Sequence, residues 1–197
     1  MDRNKLLKKL GEMLSNRRLE HSLGVSQTAA ALALRYNLDT AKAELAGLLH
    51  DCARDMGEST LLEVARGLGI TITPEDEATP ILLHGPVGAM MARDSFGVTD
   101  LNILNAISLH STGAPGMGPL ERVVFMADKI EPGRKFKGVE GLRAAVDNDL
   151  NGGMISFLAH FINLSTTKQM FIHPRTISTW NWLVAEGHGR NFCQKVE

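Results

Sequence analysis

Residues 44 to 53 read ELAGLLHDCA. Leu45, Leu48 and Leu49 mark the inner face of a helix, and the run ends in a histidine beside an aspartate, His50 and Asp51. Polar groups aimed where a core should be are costly unless something compensates them. The partner has to be sought in the flanking sequence, and a metal ion is the first candidate.

Outward from the pair, the hydrophobic spacing is helical almost everywhere. Asp39 is placed to cap the helix that carries the pair, about 39 to 53. In the stretch before it, about 19 to 36, Val25, Ala29, Leu32 and Tyr36 fall on one helical stripe, and four residues back on that stripe stands His21. Asp2 to Leu14 reads as an amphipathic first helix. Downstream, helices are predicted at about 58 to 68, stopped by Gly69, at 84 to 95, and at 99 to 110 with Thr99 or Asp100 as cap. GITITP at 69 to 74 is the one strand-like stretch, and reads better as a turn into a helix.

After the glycine and proline loop STGAPGMGP, a helix at about 118 to 131 places Leu120, Val124 and Ala127 on one stripe, with Asp128 at its deep end. EPGRKFKGVEG is a loop. Met154, Phe157, Leu158, Phe161 and Ile162 form a further helical stripe. HPRTISTWNWLV then opens a last helix with Pro174 in its first turn and Ile177, Trp180 and Val184 expected inside. The prediction is an all-α bundle of eight to ten helices, one domain over residues 1–197.

Composition narrows the function. Hydrophobic residues make up 44% and charged residues 22%, with a net charge of −1, so no global basic field draws nucleic acid or a membrane surface. Aromatics at 5% argue against a stacking platform for single strands. No apolar run approaches the roughly 20 residues of a membrane span. Cys52 and Cys193 lie far apart, and MDRNKLLKKLGEML lacks the apolar stretch of a secretion signal, which points to a cytoplasmic protein. The oligomeric state stays open, a homodimer included.

His21, His50, Asp51 and Asp128 thus come from three apolar helix faces. Two imidazoles and two carboxylates without a thiolate suit iron, manganese or cobalt, with magnesium or zinc less specifically indicated, and leave positions for water and phosphate. His84 and His110 stand at a helix start and a helix end, where each caps its helix, contacts phosphate, protonates a leaving group or binds a second ion. Arg18, Arg54 and Arg134 are placed to bring positive charge to phosphate, whereas Lys135 and Lys137 read as solvated. His160 falls off its apolar stripe, and His188 belongs to the tail.

Six blocks in order carry a family resemblance: RRLEHSLGVSQTAAAL, AELAGLLHDCARDM, LLHGPVGA, ILNAISLHSTGAPGM, VVFMADKIEPGRKF and IHPRTISTWNWL. The ordered H…HD…D pattern resembles the HD-domain superfamily of metal-dependent phosphohydrolases. The blocks together, from about Arg17 to Leu183, are similar to the bacterial YqeK-type symmetrical bis(5′-nucleosyl)-tetraphosphatases. The resemblance implies an all-helical hydrolase that cuts diadenosine tetraphosphate into two ADP, with iron or a similar ion on His21, His50, Asp51 and Asp128. It also implies that His84 and His110 lie near the polyphosphate, and that the late block, with Ile172, His173 and Thr167, touches nucleotide. Arg54 departs from the lysine common in that family. Alternatives are another HD phosphohydrolase acting on nucleoside monophosphates, alarmones or cyclic dinucleotides, and a helical interaction module without turnover.

Overall fold

The computed structural model describes residues 3–187 and is all-helical over that span. The helices are α1 (Arg3–Met13), α2 (Asn16–Arg35), α3 (Thr40–Leu49), α4 (Glu58–Gly67), α5 (Pro74–Ala78), α6 (His84–Phe96), α7 (Leu101–Leu109), α8 (Pro119–Ile130), α9 (Val139–Asn148), α10 (Leu150–Thr167) and α11 (Pro174–Ala185). A 3-10 turn at Pro80–Leu83 leads into α6. His188 and Cys193 lie outside the described residues. No described helix is long and apolar enough to cross a membrane.

Helices α2, α3, α7 and α8 pack together around Leu49, Ile107, Phe125 and Met126, all fully buried, and α10 closes the core with Met154 and Leu158. A smaller apolar cluster, with Leu61, Leu83 and Val87, seats α4 against the 3-10 turn and α6. Two glycines set the closest approaches. A Cβ on Gly47 would lie 3.0 Å from the Ser26 backbone, and one on Gly85 only 2.6 Å from the Ser108 carbonyl oxygen. These crossings press α3 against α2 and α6 against α7, and bring His50 beside His21 and His84 beside His110.

The structure departs from the sequence reading in three places and agrees with it at GITITP, a turn into a helix. Helix α3 ends at Leu49, and residues 50–55 form turns, so the His50–Asp51 pair sits just beyond the helix end. GITITP leads into α5, whose entrance is fixed by a capping box: Asp76 N–H donates to Thr73 Oγ1, and the Asp76 carboxylate accepts from Thr73 N–H. The described residues hold eleven α-helices, the additional ones being α5 and α9, which the loop-like sequence around them obscures. The inner face of α11 is Thr176, Thr179 and Leu183, whereas Val184 is 41% exposed and Ile177 and Trp180 are half-buried. Thr179 is buried because its hydroxyl donates to the Arg175 carbonyl at 2.7 Å and so carries no unpaired polar group inward.

Candidate metal centre and phosphate crevice

Six chemistry-bearing side chains converge from five segments of the chain. His21 on α2 brings its Nε2 to 3.0 Å from Asp128 Oδ1 and 4.0 Å from Asp51 Oδ2. His50 Nε2 stands 3.7 Å from Asp51 Oδ2 and 3.8 Å from Asp128 Oδ1. The other Asp51 oxygen, Oδ1, faces His84 Nε2 at 3.2 Å and His110 Nε2 at 3.5 Å. Ser111 Oγ lies 3.0 Å from His84 Nε2 and 3.1 Å from His110 Nε2. Asp51 thus stands between two pairs of imidazoles and offers one oxygen to each pair.

The rings are oriented from behind. Nδ1–H of His50 donates to the Gly47 carbonyl at 2.7 Å, that of His110 to the Ile107 carbonyl at 2.7 Å, and that of His84 to the Ile81 carbonyl. All three acceptors lie three residues back, on a carbonyl at the end of a helix or 3-10 turn. His21 Nδ1 is held at 3.1 Å by Glu131 Oε1, and Glu131 also accepts from the Gly133 N–H. A ring that donates through Nδ1 carries a lone pair on Nε2. Four such lone pairs face one space.

This arrangement fits a metal. His50 Nε2 is fully buried and has no hydrogen-bond partner among the described residues, an orphan that a cation would satisfy. Burial holds the His50 ring down to about 4, and burial also lowers His84, so both imidazoles are neutral ligands at neutral pH. Burial pushes the carboxyls of Asp51 and Asp128 upward. The His50 ring and the close His110 and His84 rings overcome this at Asp51, and Lys129 and the close His21 ring do so at Asp128, which leaves both well below the usual carboxylate range. Ligand atoms of His21, His50 and Asp51 lie within 4.8 Å of one another, as do those of Asp51, His84 and His110. Small adjustments close such spacings around a shared ion with bonds of roughly 2.0–2.2 Å. A buried histidine and aspartate cluster of this kind is a site for a divalent metal ion.

The cluster forms the floor of a crevice of about 630 Å³. Arg18, Arg54, Lys129 and Arg134 line it. Arg18 pairs with Asp55 and reaches 3.5 Å from Asp51. Arg134 and Lys129 both pair with Asp128, Lys129 at 2.6 Å. The half-buried Arg54 guanidinium has no hydrogen-bond partner among the described residues, and its burial and the neighbouring Arg18 charge lower its pKa. Unpaired guanidinium donors beside a like charge form a site for an anion.

The late-block residues sit elsewhere. Thr167 is exposed near the end of α10, 3.4 Å from Asn163 Oδ1, and Ile172 is half-buried before α11. His173 is buried and caps α11: its Nδ1 accepts from the Arg175 N–H at 3.2 Å, and its Nε2 lies 3.3 Å from Asp76 Oδ1. None of the three lines the crevice. Four site residues escaped the sequence reading: Ser111, Glu131, Lys129 and Asp55. Ser111 and Lys129 each follow a recognised residue directly, and Glu131 is three past Asp128 at the end of α8, so adjacency to the motif was the only available signal.

Comparison with known proteins places this geometry in a family. The family model described as HD domain matches residues 18–133. A protein of Halalkalibacterium halodurans named bis(5′-nucleosyl)-tetraphosphatase, symmetrical, is 41% identical over 94% of this chain and 99% of its own length. One of the same name from Bacillus subtilis is 36% identical over 94% of this chain and 99% of its own length. The crystal structure of a predicted HD superfamily hydrolase involved in NAD metabolism from Clostridium acetobutylicum superposes with a TM-score of 0.92 at 40% identity, covering 94% of this chain and 98% of that one.

Proposed function

The chain belongs to the HD-domain family, and from that membership we propose that it hydrolyses diadenosine tetraphosphate and related dinucleoside tetraphosphates symmetrically to two nucleoside diphosphates. The observation that carries this reading is the meeting of four Nε2 lone pairs and two carboxylates at the floor of an arginine-lined crevice. The full-length likeness to two symmetrical tetraphosphatases supplies the substrate.

His21, His50, Asp51 and Asp128 would hold one ion, and His84 and His110 a second that shares Asp51. Nitrogen and oxygen ligands without a thiolate favour iron, with manganese or cobalt as substitutes. When bound, the metal supplies Lewis acidity, which lowers the pKa of water toward neutrality and withdraws charge from a phosphoryl oxygen. Water adds to one of the two central phosphorus atoms, the bond from it to the central bridging oxygen breaks, and each half leaves as a nucleoside diphosphate. Arg18, Arg54 and Arg134 bind and orient the phosphates, with Arg54 offering its unpaired fork. Glu131 fixes the His21 ring through Nδ1. Ile172, His173 and Thr167 contact one nucleoside. We place the reaction in the cytoplasm, in keeping with the two widely separated cysteines.

The test is a substrate panel on one metal-loaded preparation, beside Asp51→Asn. Diadenosine tetraphosphate should be the preferred substrate over nucleoside monophosphates, alarmones and cyclic dinucleotides. The variant should lose turnover by more than about a thousandfold while keeping its helical circular dichroism. A better substrate elsewhere in the panel overturns the assignment.

A further inference from the structure

Beyond the metal crevice, between α9 and α10, lies a second cavity of about 320 Å³ walled by Phe136, Leu142, Ala145, Phe157 and His160. Its volume falls within the range of small-molecule sites. The exposed His160 ring and the half-buried Phe136 ring are stacked, with centroids 6.1 Å apart and planes 22° from parallel. Ser156 Oγ, also in the wall, donates to the Gly152 carbonyl at 2.8 Å, which leaves its lone pairs to accept.

The cavity is joined to the metal crevice. A smaller hollow between them is walled by Lys129, Arg134, Phe136 and Phe157. Two of these residues also line the crevice, and the other two also line the cavity. Lys129 spans the junction: its Nζ lies 2.6 Å from Asp128 Oδ2 and 5.7 Å from the centre of the Phe157 ring. From the metal ligands outward, the surface runs from carboxylate to cation to aromatic ring. A nucleotide presents groups in the matching order, from phosphate to base.

We propose that this aromatic cavity is a purine subsite that holds one of the two bases of the dinucleoside tetraphosphate, an inference that rests on the proposed substrate. A symmetrical substrate carries a base at each end of its phosphate chain, so central phosphates in the crevice send two bases out of it. The late block takes one and the Phe136–His160 wall the other. Stacking on aromatic faces is tolerant of base identity, because every base has a π face. Ser156 Oγ, in the cavity wall and with lone pairs left to accept, suits the exocyclic amine of adenine. Dinucleoside tetraphosphates with other bases then bind with modest penalties.

The test uses His160→Ala, an exposed position, together with Phe136→Leu. Steady-state kinetics should show the KM for diadenosine tetraphosphate raised about tenfold to a hundredfold in each variant. The inhibition constant of inorganic tripolyphosphate, which has no base, should stay within about twofold of the wild type. An unmoved KM, or an equal shift in both constants, overturns the subsite. A wild type that fails to cleave diadenosine tetraphosphate overturns the function instead. Fluorescence of the bis-etheno analogue then decides the subsite: quenching lost in His160→Ala supports it, and equal quenching in wild type and variants overturns it.

Discussion

His84 and His110 meet Nε2 to Nε2 at 3.0 Å, each with its Nδ1 already committed to a carbonyl three residues back. With Nδ1 donating, the two Nε2 lone pairs face one another, and Asp51 Oδ1 adds a third acceptor within 3.5 Å. A cation between the three resolves the repulsion. Elemental analysis of the wild type should give two metal ions per chain, and His84→Asn or His110→Asn should give one. Turnover in these variants should fall by about a hundredfold or more. Unchanged stoichiometry would assign the pair to phosphate contact alone.

Glu131 sets the direction of the His21 ring by accepting at Nδ1, 3.1 Å away. Glu131→Gln keeps the shape and removes the charge. Outer carboxylates of this kind are worth about tenfold to a hundredfold in metal affinity. Titration of the metal-free variant with manganese, followed by calorimetry, should show a loss of that size, with a melting temperature near that of the wild type. Equal affinity in both proteins would leave Glu131 a purely structural partner.

Arg54 lies half-buried in the crevice with a guanidinium that no acceptor engages among the described residues. Arg54→Ala should raise the KM for dinucleoside tetraphosphate by about tenfold to a hundredfold, the size of a lost charged hydrogen bond of about 1.5–3 kcal/mol. Arg54→Lys keeps the charge and loses the fork, so it should lie between the two. The steady-state constants of the three proteins at one ionic strength check the order, and a wild-type KM in Arg54→Ala would remove the residue from the substrate site.

The metal-free protein should lose stability on acidification because of His50. Burial holds its ring at about 4 in the folded chain, below the 6.5 of the unfolded chain. As pH falls from 6.5 to 4, the unfolded chain takes up a proton that the folded chain refuses, and the contribution of about 3 kcal/mol disappears at 1.36 kcal/mol per unit. His84, also lowered by burial, acts in the same direction. His21 is raised, since burial, the largest single influence, is outweighed by the Asp128 and Glu131 carboxylates together, so its contribution is present at low pH and lost as pH rises past its folded value. Urea unfolding from pH 7.5 to 4.5 for wild type and His50→Asn separates these effects. The difference between the curves should narrow toward low pH, and parallel curves would contradict the assignment.

Much of the site was legible because helical spacing is local. The stripe of Val25, Ala29 and Leu32 runs back to His21, and the apolar run before His50 and Val124 and Ala127 before Asp128 place the remaining ligands inward. The meeting of His84 and His110 was not legible, because it depends on Gly85 letting α6 close on the Ser108 carbonyl, a contact between helices. Glu131 reads as the first residue of a polar loop, and only the tertiary fold turns it toward His21. The inner face of α11 is illegible in the sequence for a related reason. Hydrophobicity selects Ile177 and Val184, while packing selects threonines whose hydroxyls are satisfied within the fold.

The most direct measurement is the product distribution from diadenosine tetraphosphate, with the protein loaded in turn with iron, manganese or cobalt and then stripped by a chelator. ADP should be the sole nucleotide product, with turnover lost on chelation and recovered when the metal is restored. Equal amounts of ATP and AMP, or turnover that survives removal of the metal, would contradict it.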